Sequence, residues 1–135
     1  MYGIDDLDRA IADGEAQGFV KVLTAPGKDR ILGATIAGEH AGDLLAELVM
    51  AMRHGIGLNK ILGTIHTYPT MAEANKYAAG VWKRSKVTRG QMAVARAFHE
   101  WTRGETGLGT VLGRLGALRD RRPYYGAGET GEAAE

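Results

Sequence analysis

The sequence predicts a domain of mixed α and β structure, in which a β-hairpin is followed by several helices. Two short segments with strand-like patterns flank a Pro-Gly turn signal, and later segments repeat apolar residues at helical spacing. A chain of 135 residues suffices for one compact domain with a tail. Apolar residues make up 44% and charged residues 24%, which is ordinary globular usage and excludes wholesale disorder.

The N-terminal third holds a short helix and the hairpin. Acidic residues in the first turn and Gly14 at the end predict a helix over 4–14. Residues 19–24 and 31–37 predict two strands. Pro26-Gly27 between them suits a type II turn, because proline presets the first central position and glycine accepts a positive φ.

Helices dominate the rest of the chain. A helix over 41–54 ends before Gly55, which suits a left-handed terminator, and a helical turn over 58–62 and an extended segment over 66–68 follow. The next helix runs from Pro69 to about Arg84, and its apolar face consists of Met71, Ala74, Ala78, Val81 and Trp82. A further helix begins at Gln91, and the pattern over 108–118 predicts a marginal helix.

Two helices have apolar stripes that predict their buried faces. In the helix over 41–54, a stripe that includes Leu44, Leu48 and Val49 predicts the core side, with Glu47 opposite. In the helix from Gln91, the stripe consists of Val94, Phe98 and Trp101.

Charge and composition exclude several classes of function. Seventeen basic residues against 16 acidic ones give a net charge of +1, so the chain as a whole is not drawn to nucleic acid. The chain has no cysteine, which excludes disulfides, thiolate metal sites and cysteine nucleophiles within it. No apolar run approaches the roughly 20 residues of a membrane span, and no signal pattern is visible, so we expect a cytoplasmic protein.

Two apparent motifs do not predict binding sites. Residues 126–131 match G-x-G-x-x-G, but that fingerprint works only between a strand and a helix, and no strand is predicted before it. His40 and His54 lack the spacing and the further ligand of a metal site. We therefore expect this chain to bind neither a nucleotide nor a metal.

The densest chemistry lies at His66, Tyr68 and Glu73. If Pro69 opens a helix, a ring at residue 68 lies near the Glu73 carboxylate, and His66 points to the same side. A carboxylate beside a phenol or imidazole is typical of a proton-transfer pair. Packing and hydrogen bonding at a helix entrance is the alternative, and the spacing alone favours it.

The C-terminal segment carries arginines on an amphipathic pattern. Arg114, Arg119, Arg121 and Arg122 suit contact with acidic lipid or with a partner protein, but nearby acidic residues make a solvated face the favoured interpretation. We expect residues 126–135 to be a disordered acidic tail.

Four segments, in this order, resemble a known family: Gly18–Lys21, Ile31–Ala34, Gly38–Leu45 and Tyr68–Ala74. They resemble the C-terminal dimerisation domain of the class I pyridine nucleotide-disulfide oxidoreductases, a flavoprotein family that includes dihydrolipoamide dehydrogenase, glutathione reductase and mercuric reductase. The resemblance runs in one register over roughly residues 2–84.

The resemblance implies an α+β domain, with an antiparallel sheet packed with helices, that forms a homodimer. FAD and NAD(P)H would bind to preceding domains of a longer polypeptide. In the family a strand leads into the segment that resembles Tyr2–Leu7, and Met1 begins too late to supply it, so we expect the first strand to be missing. Residues 1–84 would be the dimerisation domain. The resemblance says little about the residues beyond 84, where apolar spacing predicts a helical extension over 85–125.

The resemblance also suggests a role for the candidate site. The family's His-Pro-x-x-x-Glu segment serves the partner subunit's redox disulfide, with the histidine as acid/base and the glutamate orienting it. Pro69 and Glu73 match that segment, Tyr68 takes the histidine's place, and His66 is a substitute base. Mercuric reductase is similar in having tyrosine there, but its C-terminal cysteine pair is absent from this chain.

Two functions are therefore in competition. The leading hypothesis is a dimerisation domain that supplies Tyr68, Glu73 and His66 to the redox site of an FAD-dependent enzyme and is inactive as an isolated chain. The alternative is a stand-alone dimeric interaction module without redox activity. Membrane contact through the arginine-bearing segment is a third, weaker hypothesis.

Overall fold

The computed structural model describes residues 1–125, which divide into two compact units over residues 1–83 and 84–125. The G-x-G-x-x-G match and the tail expected over 126–135 lie outside the described residues. None of the helices within residues 1–125 is long and apolar enough to cross a membrane.

The first unit has the α+β architecture that the sequence predicts. Its strands form one antiparallel sheet in the order β1-β2-β3, and helices pack against it. The elements are β1 (Tyr2–Gly3), α1 (Asp8–Asp13), β2 (Gly18–Thr24), β3 (Ile31–Gly38), α2 (Ala41–Arg53), α3 (Leu58–Gly63) and α4 (Glu73–Ser85).

The hairpin of β2 and β3 has the turn that Pro26-Gly27 predicts. The Lys28 amide donates to the Ala25 carbonyl at 3.0 Å, and Gly27 has a φ of +70°. Gly27 is the second central residue of this turn, where a type II turn requires a positive φ. Along the strands, Val20 lies opposite Ile36, and Val20 is completely buried in the core.

The N-terminal segment differs from the expectation in two ways. Tyr2–Gly3 form a two-residue strand, β1, beside Phe19 and Val20, which the sequence patterns did not predict; the strand that we expected to be missing is one ahead of Tyr2. The single helix predicted over 4–14 is wrong, because a 3-10 turn at Ile4–Asp6 and α1 are separated by Leu7 in an extended conformation. Burial of the Leu7 side chain in the core accounts for the interruption, and α1 ends at Gly14 in the left-handed region as predicted.

The central helix α2 buries only part of its predicted stripe. Leu44 and Leu48 are in the core, but Val49 is exposed. Glu47, which we expected on the solvent side, is partly buried and hydrogen-bonds to two side chains of the same unit. The helix ends at Arg53, and Gly55 beyond it has a positive φ, as predicted.

Asp29 of the hairpin loop holds the start of α3. Its carbonyl accepts the Leu58 amide at 3.0 Å, and its carboxylate accepts the Asn59 side-chain amide at 2.9 Å. These hydrogen bonds satisfy donors at the start of the helix, and the bond from the Asn59 side chain is the main reason that the pKa of Asp29 lies below its usual range. A Cβ atom on Gly57 would lie 2.4 Å from the Asp29 carboxylate.

The last helix of the first unit begins later than predicted. Pro69 does not open it, because Thr67 and Thr70 form a turn in which the Thr70 hydroxyl donates to the Thr67 carbonyl at 2.6 Å. The Tyr68-Pro69 peptide is cis, and α4 starts at Glu73. The apolar face predicted for this helix is confirmed, since its residues lie in the core or pack against it.

The second unit is helical, as the spacing of its apolar residues predicts. It comprises α5 (Arg89–Thr102), α6 (Leu108–Arg114) and a 3-10 turn over Leu115–Arg119. A capping box of Thr88 and Gln91 starts α5 two residues before the predicted position.

The buried face of α5 is not the predicted one. Phe98 and Trp101 are exposed, whereas Gly90 and Ala97 are buried. A Cβ atom on Gly90 would lie 1.9 Å from the Ala117 carbonyl oxygen, so the helix approaches the 3-10 turn closely at this glycine. Small residues therefore form the contact, and the aromatic residues face outward.

Candidate functional site

The loop between α3 and α4 carries the candidate site on a surface of the first unit. Ile65 is 93% exposed and Tyr68 is 65% exposed. His66 lies between them in sequence, but its side chain is only 6% exposed. Within this extended segment the His66 side chain is therefore turned inward, whereas Ile65 and Tyr68 are exposed.

His66 is held between two acceptors. Its Nδ1 lies 3.1 Å from the Thr64 carbonyl, and its Nε2 lies 3.0 Å from a carboxylate oxygen of Glu47. With an ionised Glu47, both hydrogen bonds form together only when the ring carries a proton on each nitrogen. In this arrangement His66 anchors the loop to α2 and offers no free nitrogen to a substrate.

Asn75 completes this buried network from α4. Its side-chain amide is 1% exposed and donates to the Leu44 carbonyl at 2.9 Å and to the Glu47 carboxylate at 2.8 Å. The Asn75 Oδ1 atom is buried without a hydrogen-bond partner among the described residues. One amide therefore joins α2 to α4 and also fixes the carboxylate that holds His66.

Tyr68 has a different partner. Its hydroxyl donates to Asp8 of α1 at 3.0 Å. This hydrogen bond and the negative charge of Asp8 raise the pKa of Tyr68 above its ordinary value, with a smaller contribution from Glu73. The phenol therefore remains protonated at neutral pH and is suited to donate a hydrogen bond rather than to act as a base.

Glu73 is buried at the start of α4. Its carboxylate accepts the Thr70 amide at 3.3 Å and also interacts with the hydroxyl of Tyr77, one helical turn later. Burial, followed by the charge of Glu73, raises the pKa of Tyr77. The ring of Tyr77 lies 5.4 Å from that of Tyr2.

Tyr68, Glu73 and His66 each have a different hydrogen-bond partner in the structure. The Glu73 carboxylate is near enough to affect Tyr68, although the hydrogen bond of Tyr68 goes to Asp8. His66 does not join them and instead pairs with Glu47, which corrects the expectation that it points to the same side as Tyr68.

Sequence reasoning missed four residues that shape this site. Tyr77 had a local signal, since it is four residues after Glu73 on a predicted helix, whereas the helical pattern wrongly placed Glu47 on the solvent side of α2. Asp8 and Asn75 had none, because their partners lie 60 and 31 residues away in the chain.

The carboxylates make this site unsuitable for a dinucleotide. The carboxylates of Asp8 and Glu73 lie on the side of Tyr68 and would repel a pyrophosphate. The residues present here do not fit FAD or NAD(P)H.

The Asn75 network predicts a large stability effect for one substitution. Asn75→Ala removes the buried side-chain donor to the Leu44 carbonyl and one of the two donors to the Glu47 carboxylate, so we expect the free energy of unfolding to fall by about 2–3 kcal/mol. Urea denaturation measures this. Asn59→Ala is the matched control, since it removes an exposed amide with a hydrogen bond to Asp29, and we expect it to cost about 1 kcal/mol or less. Equal losses for the two variants would contradict the role assigned to Asn75.

The raised pKa of Tyr2 predicts how the free energy of unfolding changes at high pH. Burial, followed by the charge of Asp6, raises the pKa of Tyr2 to about 12. The unfolded chain releases this proton near pH 10, about two units earlier, so wild-type stability should fall as the pH rises from about 10 to about 12. Tyr2→Phe should lose less stability than wild type over this range when unfolding is followed with urea.

Tyr125→Phe is the control for the alkaline experiment, because Tyr125 belongs to the second unit. It should follow wild type. Parallel loss of stability in wild type and Tyr2→Phe would show that Tyr2 does not stay protonated in the folded state.

Comparison with known proteins places this site in a family. Residues 2–79 match the sequence model described as the pyridine nucleotide-disulphide oxidoreductase dimerisation domain. The chain is 46% identical over 71 residues to the mitochondrial dihydrolipoyl dehydrogenase of Dictyostelium discoideum, which is 53% of this chain and 14% of that protein.

Two further relatives have similar names. The dihydrolipoamide dehydrogenase of Chaetomium thermophilum is 44% identical over 53% of this chain and 14% of its own length. Dihydrolipoyl dehydrogenase 2 of Haloarcula marismortui is 44% identical over 53% of this chain and 15% of its own. The chain spans about a seventh of the length of these curated relatives. It belongs to the dimerisation-domain family of the pyridine nucleotide-disulfide oxidoreductases.

Proposed function

We propose that residues 1–84 are the dimerisation domain of an FAD- and NAD(P)H-dependent oxidoreductase and that they pair with a second copy. The observation that carries this proposal is that the family match covers the Tyr68–Glu73 segment, whose tyrosine stands exposed on the surface. A dimerisation domain that serves its partner's redox site must present that segment outward.

Within this proposal Tyr68 and Glu73 face the partner subunit's redox site. Tyr68 faces that site with a protonated phenol, and it donates a hydrogen bond there by exchanging its bond to Asp8 for one to the partner. Glu73 contributes a buried negative charge beneath it. His66 has a positioning role, since both of its ring nitrogens are already engaged by the loop and by Glu47.

The substrate of the relatives is not carried over to this chain. Their names identify them as acting on a dihydrolipoyl group. In the family resemblance, disulfide exchange uses an imidazole at the place of Tyr68, and a protonated phenol is a poor substitute for it. We assign an electron acceptor only as a class, namely one whose reduction uses a hydrogen-bond donor at this position.

FAD and NAD(P)H belong to other segments of the proposed enzyme, because the candidate site of this chain carries carboxylates. We therefore propose that the isolated chain binds neither cofactor and catalyses no reaction. A homodimer in the cytoplasm is the proposed working form.

The first test is of activity. The purified 135-residue chain is mixed with FAD, with NADH or NADPH, and with a disulfide acceptor. We expect no flavin to co-elute with the protein in gel filtration and no oxidation of the reduced nicotinamide. Turnover by the chain alone would overturn the proposal.

The size of the polypeptide in its source cells separates the two candidate functions. An antibody against residues 1–84 should detect a band well above 14.4 kDa if this domain works within a longer enzyme. A band at 14.4 kDa would favour the stand-alone interaction module, a function that the exposed apolar residues of the first unit also suit.

Self-association provides a prediction for Ile65. Ile65 is nearly fully exposed and three residues before Tyr68, so packing against a second copy would remove a large apolar area from water and stabilise the dimer. We expect Ile65→Asp to raise the dimer dissociation constant by at least about 10-fold in sedimentation equilibrium.

The control for Ile65 is Leu23→Asp, which places the same charge at an exposed apolar position of β2. We expect a change of about 2-fold or less. A monomeric wild-type chain, or equal effects of the two variants, would argue against a dimer contact at the candidate site.

A further inference from the structure

An arginine-lined cavity lies within the second unit, outside the segment matched by the family. Its volume is about 510 Å³, and its lining consists of Arg89, Met92, Ala93, Arg96, Arg114 and Tyr124. Cavities of about 300–1,000 Å³ are typical of sites for small organic molecules. The size thus suits a ligand larger than a simple ion.

No carboxylate among residues 1–125 lines this cavity to balance its positive charge. None of the three lining arginines forms an ion pair within 4.0 Å among the described residues. Asp120 is influenced by Arg89, but its carboxylate is bonded to Arg122 at 2.8 and 3.0 Å. Three guanidinium groups therefore share one cavity without a carboxylate in its lining.

The charge of the whole unit has the same sign. Residues 84–125 contain nine basic and three acidic residues, a net charge of +6, whereas residues 1–83 contain eight basic and ten acidic residues, a net charge of −2. The net charge of +1 for the chain conceals this difference. An anion approaching the second unit is attracted by the unit as well as by the cavity.

Tyr124 gives the cavity an oriented donor. Arg96 donates to the Tyr124 hydroxyl oxygen at 2.5 Å, and its guanidinium carbon lies 5.6 Å from the centre of the tyrosine ring. Because that oxygen accepts from Arg96, its own proton is free to be donated to a ligand. Arg89 is held in turn by a hydrogen bond to the Pro123 carbonyl at 3.3 Å.

We propose that this cavity binds a small molecule bearing a phosphate monoester. Guanidinium groups bind phosphate oxygens through paired hydrogen bonds, and a dianion neutralises more of the cavity's charge than a carboxylate does. Met92 and Ala93 provide an apolar wall for the organic part. This proposal is independent of the function proposed for residues 1–84.

The phosphate could come from a soluble metabolite or from a lipid headgroup, and two probes distinguish them. The full 135-residue chain is titrated with glycerol 3-phosphate, with glycerol as the uncharged control. It is also mixed with phosphatidic acid vesicles, with phosphatidylcholine vesicles as the control. Binding of a phosphate probe, with no binding of its phosphate-free or zwitterionic control, supports the site. Which of the two probes binds identifies the source of the phosphate.

Matched double variants separate the cavity from general charge. Arg96→Gln/Arg114→Gln removes two lining guanidiniums, and we expect the dissociation constant to rise by at least about 10-fold. Arg119→Gln/Arg121→Gln removes the same charge outside the lining, and we expect a rise of about 2-fold or less.

Arg114→Gln alone is the second variant, because Arg114 is exposed and makes no ion pair among the described residues, so its loss should leave the fold intact. It should weaken binding by about 5-fold, while circular dichroism remains that of wild type. No binding of either phosphate probe, or equal losses in the two double variants, would overturn the proposal.

Discussion

The buried amide of Asn75 is the interaction on which the candidate site depends. It joins the backbone of α2 to the Glu47 carboxylate, and Glu47 in turn holds His66. Buried hydrogen bonds of this kind are costly to leave unmade, because the groups have already lost their contact with water. The loop before α4 is thus fixed from its inner side, which leaves Ile65 and Tyr68 on a well-supported outer surface.

The two units combine opposite electrostatic characters in one chain. Around Tyr68 the charged groups are carboxylates, which keep the phenol protonated and disfavour anionic ligands. In residues 84–125 the arginines of the cavity favour anions. The first unit therefore suits hydrogen-bond donation by a phenol that carboxylates keep protonated, and the second unit suits binding of a phosphate by arginines.

Much of the fold was predictable because its signals are local. The turn at Pro26-Gly27, the helix α2 with Gly55 beyond it and the core face of α4 all follow from short patterns. The start of α4 was not predictable, because the proline at residue 69 is typical of a helix start and gave no indication of the turn between Thr67 and Thr70. The family match covers Tyr68 and Glu73, but the hydrogen-bond partner of Tyr68, Asp8, lies 60 residues away in the chain.

The prediction of the buried face of α5 was wrong for a different reason. Hydrophobic patterns count large side chains, whereas the contact at Gly90 depends on the lack of one. A similar contact links Asp29 to Gly57, where the hairpin loop starts the helix α3. Evolution is therefore constrained at both ends of that contact: a change in the length of the hairpin loop would displace Asp29 from the helix, and a side chain at residue 57 would push the Asp29 carboxylate away from Asn59. The two positions should vary together among relatives of this domain.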